Sequence, residues 1–71
     1  MYTEEDVKAF ESFFRREPPF DFLGGALHTY PYDTDADKVK MYDICCELEQ
    51  RGVVERVTHA RDWVMFKLKG T

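Results

Sequence analysis

The chain has little of what catalysis or cofactor binding usually requires. Its 71 residues contain only two cysteines and two histidines. The cysteines are adjacent, Cys45-Cys46, so there is no CxxC, and the histidines, His28 and His59, do not stand at a ligand spacing. This excludes the common zinc motifs. Neighbouring helical residues diverge by about 100°, which makes a Cys45–Cys46 disulfide geometrically poor and rules out a disulfide framework. The pair fits a reducing compartment, and both residues read first as small apolar fillers. A nucleophile elbow and a phosphate loop are both missing, and no Ser-His or Cys-His pair is implied. No enzyme activity, cofactor, metal site or small-molecule substrate is expected. No apolar run approaches the roughly 18 residues of a membrane span, and the N-terminus does not resemble a signal peptide. The expected setting is cytoplasmic, without membrane contact. Repeats, low-complexity tracts and linkers are also lacking, which leaves one domain, 1–71.

Aromatic residues are plentiful: six Phe, four Tyr and one Trp. A domain this short buries only about 60% of its unfolded surface and needs a dense core; the aromatics supply one and argue against disorder. The formal charge of −4 argues against sequence-independent phosphate binding. The charge is unevenly spread. Segment 33–51 has six acids against three bases, and segment 52–71 has two acids against four bases.

Thr3 is placed to cap a first helix, with Glu4, Glu5 and Asp6 in its positive first turn and Asp6 at the capping-box position. Tyr2 and Val7 are spaced for a hydrophobic staple. Val7, Phe10 and Phe14 form its inward stripe, with Phe13 beside it, and Glu17-Pro18-Pro19 stops it. A short second helix is expected from about Phe20-Asp21, carrying Phe22, Leu23, Ala26 and Leu27 and ending at Tyr30-Pro31. A turn follows over Tyr32 to Asp35, and Thr34 or Asp35 caps a long third helix. That helix carries Met41, Ile44, Cys45 and Leu48 at the spacing of one buried stripe. It ends at Arg51-Gly52, where the glycine can take the left-handed C′ conformation. Val53, Val54 and Val57, a polar tip from Thr58 to Asp62, and Trp63, Val64, Phe66 and Leu68 then read as a hairpin. A lone hairpin is marginal, so its apolar face must lie on the helices. Met41, Cys45 and Leu48 are expected to meet Phe10, Phe14 and Leu27.

This order, with Leu48-Glu49-Gln50-Arg51-Gly52-Val53-Val54-Glu55-Arg56 at its centre, resembles the winged helix-turn-helix superfamily. Leu48, Cys45 and Met41 match the family's inward positions four, seven and eleven residues before the closing glycine. The resemblance implies an α+β fold of three helices followed by a two-stranded antiparallel wing. It implies a recognition helix at about 35–51 and a wing at about 53–69, with Thr58 to Asp62 at its tip. The function it implies is double-stranded DNA binding by a transcriptional regulator, as a homodimer. Lys38, Lys40, Arg56, His59, Arg61, Lys67 and Lys69 are then the candidate phosphate contacts. One position departs from the pattern: nine before the glycine, where DNA-binding members often carry Arg, stands Asp43. Glu47 lies one turn further on, and carboxylates facing phosphates repel.

A second reading competes with DNA binding. Val39, Tyr42 and Cys46 form a second apolar stripe on the long helix, rotated by roughly 130° from the first. Either the first helix buries it, or it is a protein-partner interface on an acidic helix. Trp63 either covers the base of the wing or joins Tyr30 and Tyr32 in an aromatic contact patch.

Overall fold

The structure is a computed structural model, and it describes residues 1–15 and 26–70. It begins with α1 (Glu4–Phe14), whose N-terminus is fixed by the expected capping box. The Asp6 backbone N–H donates to Thr3 Oγ1 (3.2 Å), and the Thr3 N–H donates back to Asp6 Oδ2 (3.0 Å). Two orphan donors are thereby satisfied where three acids also complement the helix dipole. Val7 and Phe14 turn into the core, and Tyr2 packs against it.

The chain returns as a strand, β1 (Leu27–Thr29), and not as the C-terminal part of a second helix. The part of that expected helix lying on 16–25 falls outside the described residues. Leu27 is drawn into the sheet because alternation places Leu27 and Thr29 on the core side. Buried Thr29 donates its hydroxyl to the Val64 carbonyl (2.8 Å), so its polar atom is satisfied. The expected three helices and two strands are thus corrected, among the described residues, to two helices and three strands.

Asp35 caps α2 (Ala36–Gln50), accepting from the Asp37 N–H. Its end is a Schellman motif: the Val53 N–H reaches the Leu48 carbonyl and the Gly52 N–H the Glu49 carbonyl. Gly52 has φ of +78°, the left-handed value that favours glycine. This turn delivers the chain into β2 (Val54–His59), followed by β3 (Val64–Leu68). The three strands form one antiparallel sheet in the order β1-β3-β2.

A register shift between Arg56 and Thr58 turns Val57 into solvent, 42% exposed, although its apolar character suggested an inward position. The turn spans 60–63, closed by the Ala60 N–H on the Trp63 carbonyl (2.8 Å). His59 therefore ends a strand and does not sit at the tip.

The core lies between the helices and one face of the sheet. Val7, Phe14, Ile44, Cys45, Leu48, Val54, Val64 and Phe66 are buried. Met41, expected at the centre, is only half-buried. With Ala9, Phe10, Phe13 and Leu27 it lines an apolar depression of about 240 Å³. Among the described residues no helix is long and apolar enough to cross a membrane.

Candidate binding site

Three of the seven candidate phosphate contacts, Lys38, Lys40 and Arg56, are paired with carboxylates of the chain itself. Arg56 is the most heavily engaged of them. It shares the inner face of β2 with Val54, since strand residues two apart point the same way. Its guanidinium makes two hydrogen bonds to Glu49, 2.9 and 3.2 Å, and donates to Cys46 Sγ at 3.6 Å. It also lies over the rings of Tyr42 and Phe66, 5.8 and 5.1 Å from their centroids. These carboxylate bonds hold Arg56 firmly protonated. Arg56 therefore lies along the surface over Tyr42, Cys46 and Phe66, exposed but already paired with Glu49.

Two more candidates are occupied. Lys38 Nζ lies 3.8 Å from Asp33 Oδ2, and Lys40 Nζ lies 3.3 Å from Asp6 Oδ2. The Thr3 backbone bond, then burial working the other way, then Lys40 leave the Asp6 carboxyl below its ordinary range. His59, Arg61, Lys67 and Lys69 have no ion pair or side-chain hydrogen bond among the described residues. Lys67 stands opposite Glu55 in the register, and Arg61 is next to Asp62 in the turn.

The expected partner interface is likewise split. Tyr42 packs on Phe66 with ring centroids 6.1 Å apart, and Arg56 covers it. Cys46 is a half-buried acceptor for that same arginine. Tyr42 is therefore part of the folded packing and Cys46 partly so, while Val39 is half-buried. The reason lies in the sheet: Arg56 arrives from β2 at the face the helix alone leaves bare. Cys45 is wholly buried, and burial pushes its thiol up to about 12, so it is an apolar core atom at neutral pH.

On the helical period of 100° per residue, Val39, Asp43, Cys46 and Gln50 lie opposite the buried Ile44, Cys45 and Leu48. Asp43 is the one charged member of this outward ridge, and the Arg56 guanidinium reaches its Cys46 from β2. Asp43 has no ion pair or hydrogen bond among the described residues, and Glu47 does not reinforce it. Glu47 instead accepts from Tyr2 Oη (3.1 Å) and Arg51 Nε (2.8 Å). Arg51 also grips Glu4 with two bonds of 2.7 Å. The arginine holds both Glu4 and Glu47 below the ordinary carboxylate range.

A second feature was only half legible in the sequence. Tyr30 and Tyr32 come together as the aromatic patch suggested, but Trp63 packs instead on His28, with centroids 4.9 Å apart. The tyrosines are joined by Asp33 and by Asp62 from the β2–β3 turn, forming a depression of about 250 Å³. Asp62 comes close because Thr29 of β1 pairs with Val64 at the start of β3. The separation in sequence hides this. Among the described residues no three His, Cys, Asp or Glu side chains are grouped to hold a metal ion. No protein-family model, curated protein or solved structure matches the chain.

Proposed function

We propose that this domain is a small, non-catalytic protein-interaction module of the winged-helix type. It presents the outward side of α2, whose unpaired carboxylate is Asp43, to a basic segment of a partner protein. Support for the winged-helix part comes from the connectivity: a helix, an edge strand, a long helix closed by Gly52, and an antiparallel hairpin whose second strand is central.

The observation that carries the interaction reading is the ridge itself. Asp43 stands on it unpaired, while the nearby lysines, Lys38 and Lys40, are already bound to carboxylates. Such a surface repels a phosphate backbone and attracts a lysine or arginine. Double-stranded DNA is the second reading, favoured by Arg61, Lys67 and Lys69, which have no ion pair among the described residues. In that case the hairpin, not α2, makes the backbone contacts.

Parallel titrations separate the two. Labelled duplex DNA and a peptide rich in Lys and Arg are each titrated at two salt concentrations. The interaction module binds the peptide saturably, weakens with salt, and leaves the duplex unbound at low salt. Duplex binding with a steep negative log–log salt slope, and no peptide binding, overturns it in favour of DNA.

A further inference from the structure

We propose that the depression lined by Tyr30, Tyr32, Asp33 and Asp62 receives the ammonium group of a lysine from the partner protein. This rests on the interaction reading and names one specific contact within it. The depression holds about 250 Å³, roughly the volume of eight water molecules at about 30 Å³ each. A lysine head and part of its stem fit that space. Its wall combines the two groups that recognise an organic cation: aromatic faces, negative by their quadrupole, and carboxylates.

The chain itself shows the chemistry at the rim. Lys38 Nζ lies 5.4 Å from the Tyr30 centroid and 3.8 Å from Asp33 Oδ2. The other oxygen of Asp33 accepts the Asp35 N–H at 2.8 Å. Asp33 and one flank of Tyr30 are thus engaged, while Tyr32 and Asp62 are not. Tyr32 is 82% exposed, and Asp62 has no hydrogen bond or ion pair among the described residues. Of the two carboxylates lining the depression, Asp33 is paired with Lys38 and Asp62 has no ion pair among the described residues, so Asp62 is the group an incoming ammonium meets. Arg61, beside Asp62, is the nearest cation in sequence that opposes such a ligand.

The test uses the isotopically labelled domain, a short lysine-containing peptide, and the same peptide with norleucine in place of lysine. The lysine peptide is expected to move the Tyr30 and Tyr32 ring signals and the Asp62 amide saturably, with norleucine inert. Asp62→Asn is expected to weaken binding by about threefold to fivefold, typical of one exposed charge contact. Arg61→Ala is expected to strengthen it by about twofold. Both positions are exposed, and unchanged core amides verify the fold of each variant. Equal shifts with norleucine, no saturation, or an unaffected Asp62→Asn protein overturns the proposal. If the lysine peptide moves Asp43, Cys46 and Gln50 but not the pocket, the pocket fails and the interaction reading stands. If neither region responds and duplex DNA binds, both fail.

Discussion

Leu48 and Arg56 show how differently a core residue and a surface residue that packs on the core's edge are signalled. Leu48 is wholly buried against the core, as its place in the stripe with Ile44 and Cys45 requires. Leu48→Ala is expected to cost about 2–5 kcal/mol in chemical denaturation. In a domain this small that amounts to most of the stability. Less than about 1 kcal/mol means that the cavity collapses or the packing is otherwise. Arg56 shares a strand face with Val54 yet stays exposed, beyond the edge of the core. Its guanidinium is accommodated there by Glu49 and by two aromatic faces. Asp62 carried no comparable signal. Its meeting with Tyr30 and Tyr32 depends on strand pairing across more than thirty residues.

Among the elements, α2 was the most legible. Its cap, its stripe from Ile44 to Leu48 and its terminal glycine appear where their local patterns place them, while Met41 is only half-buried and the hairpin tip is shorter than expected. The strand β1 was not legible as such. Three residues give too short a period-two signal, and Phe22, Leu23, Ala26 and Leu27 suggested a helix instead. Only pairing with β3 makes Leu27–Thr29 a strand, and that partner is distant in sequence.

The ion network between α1 and α2 leads to a pH prediction. Glu4 and Glu47, both bound by Arg51, have carboxyls held below their ordinary range. At acid pH the unfolded chain then binds more protons than the folded one. Their stabilisation is present above the unfolded carboxylate values of about 4 and is lost as the pH falls through the lower folded values. The urea midpoint is therefore expected to fall on acidification below about pH 4. In Arg51→Ala that fall is expected to be shallower, from a lower starting stability. Identical acid profiles for the two proteins contradict the network's role.

At the scale of the whole molecule, charge decides the functional reading more than connectivity does. Two helices and a three-stranded antiparallel sheet, as seen among the described residues, do not choose between duplex DNA and a protein partner. The hairpin has basic residues without ion pairs among the described residues, whereas α2 presents Asp43 on its outward ridge and its two lysines are paired with carboxylates. The central claim is that this ridge selects a cation. The most direct measurement is binding of duplex DNA and of a basic peptide, at low salt, to the wild type and to Asp43→Arg. The account predicts that the wild type binds the peptide and not the duplex. Asp43→Arg is then expected to lose peptide affinity by about fivefold to tenfold and to gain weak duplex binding with a steeper salt slope. Duplex binding by the wild type, with peptide affinity unchanged by Asp43→Arg, contradicts it.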